Sequence, residues 1–285
     1  MRTLAKRSNG STEVTVHNPE DFVRHGNIGI QDMEIPVLKL LQGLSPEVKT
    51  HHHLRAGNWY HTILEKDFGP VIPKVVVEMV HRSVDLWSPK DVRGVESKLL
   101  ARAADGENWD RPNQRFNVQL ASGKTVEWFT GKNVRASGLL DWGSSDPTNM
   151  TSTGIPPAAT LVYTLILRII DPTGISAPCV YTPSKMARKA VMRLNSRIDM
   201  RMSDTPPLKQ LFALSVVEKS GRMPGVSWYE PEFTAAGELK DEEMFQKIKA
   251  EAARFATHYH DIKPVGGDVV DADDMPLAGV NNPAF

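Results

Sequence analysis

Lys185, Arg188, Lys189, Arg193, Arg197 and Arg201 put six positive charges into seventeen residues, with Asp199 the one acid among them. Five of the six recur at steps of four, so on a helix they share one broad face. Like charges at that spacing repel by a few tenths of a kcal/mol per pair. A polyanion laid along the face relieves that repulsion and releases its own counterions. The chemistry is phosphate binding, and its plain rival is a solvated basic face.

Rings supply the second half of such a site. Lys124 and Lys132 flank Trp128 and Phe129, Trp142 follows, and Trp228 sits beside Tyr229. Single-stranded nucleic acid is held by backbone electrostatics together with bases stacked on exposed rings, each worth about 1–3 kcal/mol. Each of these rings taken singly also suits a core position.

The chain closes with "DVVDADDMPLAGVNNPAF". All 34 basic residues lie in 1–263 together with 30 of the 34 acids, so the body carries +4 and the last 22 residues −4. That asymmetry marks either an interaction tail or a solvated terminus. Asp271, Asp273 and Asp274 lead to Met275, Pro276 and Leu277, with Phe285 last, which is an acidic stretch joined to an apolar hook.

Catalytic motifs are absent. There is no Gly-rich phosphate loop, CxxC, HExxH or GxSxG. His51–His53 lie near His61, but no Cys or carboxylate stands at ligand spacing. Asp105, Glu107 and Asp110 fall among turn residues. The expectation is a protein that is no enzyme, with no catalytic residue, no cofactor and no metal. A metal-dependent enzyme using His51–His53 is the rival from that class. Cys179 is the single cysteine and suits a reducing compartment. The longest apolar runs, such as "LVYTLIL", fall far short of the ~20 residues that span a bilayer. No membrane partner is expected, and the cytoplasm is the expected location.

Several elements would hold these groups in place. Ile35, Leu38, Leu41 and Leu44 recur at three-residue steps, which predicts a short amphipathic helix ending at Gly43 or Pro46. Val75–Val80 reads as a buried strand. Phe116, Val118 and Leu120 alternate before Ser122-Gly123, then Val126 and Trp128 follow: a hairpin. Residues 141–158 read as a long loop. "ATLVYTLILRII", "DPTG" and "ISAPCVYTP" form a second hairpin. The basic helix spans 184–202 with Ser184 as N-cap, and Ala187, Val191, Leu194 and Ile198 line its apolar face. A third hairpin turns near Ser220-Gly221. A last helix carries Phe245, Ile248, Ala252 and Phe255 on one stripe. The fold class is mainly β with α (α+β): an OB-like, partly open antiparallel barrel with an inserted basic helix and flanking helices. The domain division is a flexible segment at 1–30, the binding domain at 31–263 and a disordered acidic tail at 264–285.

The "DADDMPL…F" terminus resembles the C-terminal peptide of single-stranded DNA-binding proteins, with Leu277 where a Phe is expected and eight further residues before Phe285. "IPVLKLLQGLSPEV", "SGLLDWGSSDP", "PPAATLVYTLIL" and the basic helix together resemble the tailed-bacteriophage single-stranded DNA-binding family, over about residues 31–235. The resemblance implies an OB-type fold, a replication or recombination setting and no cofactor. It also implies a tail that recruits replication or recombination proteins and competes with DNA for the basic groove. The expected function is sequence-independent coating of single-stranded DNA. Its rivals are an annealing recombination protein that forms a homo-oligomer, and a virion or scaffold protein.

Overall fold

The computed structural model describes residues 36–89, 97–149, 154–170, 176–184, 187–199, 205–220 and 227–258. Lys185, Arg201 and the tail residues Asp271, Asp273, Asp274, Met275, Pro276, Leu277 and Phe285 lie outside them, as does the expected segment 1–30.

The elements run β1 (Leu38–Leu40), α1 (Pro46–Thr50), β2 (Trp59–His61), β3 (Lys66–Gly69), β4 (Val71–Trp87), β5 (Leu99–Ala103), β6 (Arg115–Gln119), β7 (Thr125–Phe129) and α2 (Val134–Ser137). Then come β8 (Ala159–Ile170), β9 (Ser176–Tyr181), α3 (Arg188–Asp199), β10 (Gln210–Ser220), β11 (Ser227–Glu238) and α4 (Glu242–His258). All strand ladders are antiparallel, and the class is α+β as the sequence predicts.

The main sheet runs β11-β10-β4-β8-β9, with β5 beside the far end of β4. Its described strands do not close into a barrel, and β11 and β9 are its two edges.

β4 is the spine. Its seventeen residues carry two extra positions. Phe212 to Leu214 on β10 oppose Val75 to Ile72, so one residue bulges at Pro73–Lys74. Leu167 and Ile166 on β8 oppose Val77 and Met79, so Glu78 is the second. Each bulge flips which residues face inward. The core side chains accordingly shift from Ile72 to Val75 and Val77, then to Val80, Val84 and Leu86. One strand thereby serves two clusters. The first packs β4, β8, β9 and β10 against Leu38, Trp59, Val191 and Leu194. The second packs the far end of β4 against Trp109, Val118, Val126, Trp128 and Leu139.

On the opposite face, Ile248 of α4 packs with Val76, Leu211 and Leu239. Beside them Arg168 is buried between two carboxylates. Its Nε lies 2.5 Å from Glu78 Oε1 and its Nη2 2.5 Å from Glu251 Oε2. Burial raises the pKa of Glu78, with the Arg168 charge pulling the other way.

The predicted short helix carrying Ile35, Leu38, Leu41 and Leu44 is not observed in its described part. Leu38 falls in strand β1, which pairs with β2 through Leu38–His61 and Leu40–Trp59. The helical turn comes later, at Pro46–Thr50. Leu38 and Leu41 are buried but Leu44 is exposed, so the three-residue step reflects docking rather than a helical stripe. β1 touches both β9 and β11, and so lies across the mouth of the curled sheet. Trp59 meets Tyr181 edge to face there, with centroids 5.1 Å apart.

Both edge strands are tied down at particular points. On β11, the Tyr229 N–H donates to Gln42 Oε1 and its carbonyl accepts from Gln42 Nε2, each at 3.0 Å. Alternation then points Pro231 and Phe233 the same way. Pro231 has no N–H to offer, and the Phe233 carbonyl accepts from Arg197 Nη1 at 2.6 Å. On β9, the Val180 N–H donates to the Pro36 carbonyl at 2.8 Å.

Candidate nucleic-acid interface

The basic helix forms, and its apolar face docks as its spacing predicts: Val191 and Leu194 are buried in the main core. Its cations divide into two pairs. Arg188 turns back to donate from Nη2 to the Leu161 carbonyl at 2.9 Å, and Arg197 turns back to Phe233. α3 is thus tied to β8 on one side and β11 on the other. Lys189 and Arg193 remain exposed, and among the described residues no carboxylate pairs with either. The outward basic face is therefore narrower than the charge count suggests.

The second set sits on the long connection between β4 and β8. The predicted β6–β7 hairpin forms, with Phe116 opposite Trp128 and Gly123 at φ +82° in the turn. Trp128 is 3% exposed and belongs to the core, its Nε1 donating to the Ser145 carbonyl at 3.2 Å. In that position it cannot stack on a base. Its neighbour Phe129 points the other way and is 39% exposed, with the Arg115 guanidinium 5.0 Å from its ring centroid. Strand alternation explains the split. Lys132 is exposed. Lys124 is half-exposed, and its Nζ lies 3.1 Å from Asp146 Oδ1. The Thr148 hydroxyl and Lys124 hold the pKa of Asp146 below the usual carboxylate range.

Trp142 is 76% exposed, the most open of the large apolar side chains described. Its loop is fixed by hydrogen bonds. The Gly143 N–H donates to the Ile155 carbonyl at 2.9 Å, and the Ser144 hydroxyl donates to Leu139 and accepts from Ala158. The Lys124–Asp146 and Trp128–Ser145 contacts tie it to the hairpin. Residues 141–149 and 154–158 are thus an ordered turn system rather than a slack loop.

The third set flanks the β10–β11 turn. Trp228 is half-buried, and its Nε1 donates to Glu230 Oε1 at 2.8 Å. Tyr229 lies over Gly57, where an added Cβ would come within 2.9 Å of Cε1. That packing fixes the ring against the body.

Sequence reasoning missed Arg115, whose only signal is its cross-strand place opposite Phe129. It also passed over the pairing of Trp87 with Leu99, two exposed apolar side chains facing each other across β4 and β5. Asp105 serves its own turn, accepting from the Asn108 and Glu107 N–H groups, which lower its pKa. His51 and His53 meet edge to face at 5.9 Å. Among the described residues no three His, Cys, Asp or Glu side chains are placed to hold a metal ion. Burial pushes the Cys179 thiol well up, so it stays protonated. No helix among the described residues is long and apolar enough to cross a membrane.

A family model of Pam3 phage gp34-like proteins matches residues 9–260. The chain belongs to that family. The match to the Pam3 phage gp34-like family takes in every element from β1 to α4 and stops before the acidic stretch at 268–274. No curated protein and no solved structure matches the chain.

Proposed function

We propose that this phage-family chain binds single-stranded DNA with little sequence preference, in replication or recombination. Support comes first from chain order. β4, β8, β9 and β10 lie in the spatial order β10-β4-β8-β9, which is the Greek-key arrangement of fourth, first, second and third strands. β11 adds a fifth strand, and α3 stands between the third and fourth. An OB-fold is a five-stranded, partly open Greek-key barrel that binds on its second and third strands and on the loops joining strands one to two and four to five.

By that correspondence the binding loops are the β4–β8 connection and the β10–β11 turn. The first carries Lys124, Phe129, Lys132 and Trp142, and the second is flanked by Lys219 and Trp228. Trp142 carries the reading: a tryptophan this exposed on a turn this firmly tied is a stacking platform held ready. Lys189 and Arg193 track phosphates along α3. The acidic tail, through Asp271, Asp273 and Asp274, competes for the same surface, and its Met275-Pro276-Leu277 or Phe285 hook reaches replication or recombination proteins.

Fluorescence anisotropy with labelled oligo-dT tests the proposal against a duplex of equal length. Tighter binding of the single strand supports it, and equal or absent binding removes it.

A further inference from the structure

β9 covers only half of β8. Their ladder runs from Leu165 opposite Tyr181 to Ile170 opposite Ser176. Val180 turns its N–H outward to Pro36, so Leu165, Leu167 and Ile169 are the β8 residues whose backbone groups face β9. β8 has no extra residue between Ala159 and Ile169. The alternation therefore carries back, and Ala159, Leu161 and Tyr163 point their N–H and C=O groups to that same side.

There the edge is only partly answered. The Ala159 N–H donates to the Leu139 carbonyl at 2.9 Å, and the Leu161 carbonyl accepts from Arg188. Among the described residues nothing accepts from the Tyr163 N–H on this side or donates to its carbonyl. Continuing the register puts Pro183 opposite Tyr163: proline has no N–H for the Tyr163 carbonyl, and the Pro183 carbonyl takes no hydrogen bond from the Tyr163 N–H. Arg188 uses one of its five donors on Leu161. An open backbone N–H thus stands next to a guanidinium with donors to spare.

A peptide strand does not suit this opening. Strand addition needs the Leu161 carbonyl as an acceptor, and Arg188 already occupies it. Donors beside a fixed cation call for an anion. We propose, building on the single-stranded DNA reading, that the Tyr163 N–H and Arg188 together hold one backbone phosphate of the bound strand. β8 then contributes a contact by its main chain, which no side-chain substitution reveals. Arg188 both closes the sheet edge and presents the phosphate.

Amide hydrogen exchange read residue by residue by NMR tests this on the full chain. In the complex with saturating oligo-dT, exchange at Tyr163 slows at least tenfold. An oligo-dT analogue with a neutral methylphosphonate backbone, bound at saturation, leaves Tyr163 at its free rate. Unchanged exchange at Tyr163 in the saturated oligo-dT complex overturns this contact while the DNA-binding reading stands. Equal slowing by the neutral analogue also overturns it. Absence of oligo-dT binding overturns both.

Discussion

Arg197 Nη1 donates to the Phe233 carbonyl at 2.6 Å, so a cation that the sequence presents as a phosphate ligand is bonded to the sheet's outermost strand. Arg188 does the same at Leu161 on β8. α3 is a strut between two strands as well as a charged surface, and its four described cations should separate by experiment.

Lys189→Ala and Arg193→Ala should each weaken oligo-dT binding and each reduce the slope of log K against log salt by about 0.7, the value for one phosphate on a single strand. Arg197→Ala should leave that slope unchanged and lower stability by about 1 kcal/mol, the ordinary worth of one such bond at a partly open site. Salt titrations and urea unfolding of the three variants check the division. Arg197→Ala reducing the slope as much as Arg193→Ala would contradict it.

The two tryptophans of the β4–β8 connection make a second pair of opposites. Trp142→Ala should cost about 1–3 kcal/mol of oligo-dT affinity and leave the urea midpoint in place, because the ring touches little. Trp128→Ala should cost about 3–5 kcal/mol of stability as a cavity mutation. Loss of stability in Trp142→Ala without loss of affinity would reverse the roles.

Much of the fold was legible in the sequence wherever neighbours along the chain decide it. Alternation at Phe116, Val118, Val126 and Trp128 with a Ser-Gly turn gave the β6–β7 hairpin, and the stripe of Val191 and Leu194 gave α3. Distant partners decided the rest. Three residues of β1 hold too few alternations to signal a strand, and their pairing with β2 and contact with β9 are tertiary. Arg168 lies inside an apolar strand because Glu251, 83 residues later (251 − 168), meets it. Which of Trp128 and Phe129 faces out depends on where the second core sits. The charge of α3 was countable, but carbonyls at Leu161 and Phe233 that draw two arginines inward left no mark in the sequence.

The Arg168 triad should respond as a unit. Arg168→Met leaves Glu78 buried without its partner and should cost about 3–5 kcal/mol. The triple change Glu78→Leu, Arg168→Met and Glu251→Leu should recover most of that loss, since well-packed apolar groups can replace buried ions at little cost. Urea unfolding measures both. A triple variant as unstable as the single one would show that the charges are needed for more than mutual neutralisation.

His61 should make stability fall on mild acidification. Its ring is buried, Nδ1 accepts from the Leu64 N–H at 3.1 Å, and burial pushes its pKa below the usual 6.5, with the Pro178 carbonyl opposing. In the unfolded chain it takes up a proton near pH 6.5 while the folded form stays neutral. The unfolded state therefore binds more protons below that pH, and stability drops as pH falls from 6.5 toward the lower folded value. Glu78, whose pKa is raised, acts with the opposite sign above about 4.5, so the comparison must isolate His61. Urea midpoints of wild type and His61→Asn at about pH 7.5 and 5.5, on either side of the free histidine pKa, provide it. A smaller loss in the variant is expected, and parallel losses would remove His61 from the account.

The central claim is that this surface holds the backbone of single-stranded DNA. Its most direct test is the oligo-dT dissociation constant between about 50 and 200 mM salt. With phosphates held by Lys189, Arg193, Lys132 and Arg188, log K should fall against log salt with a slope of about −3, roughly a fifty-fold loss over that range. No binding at the lower salt, or an affinity that salt does not change, would contradict the account.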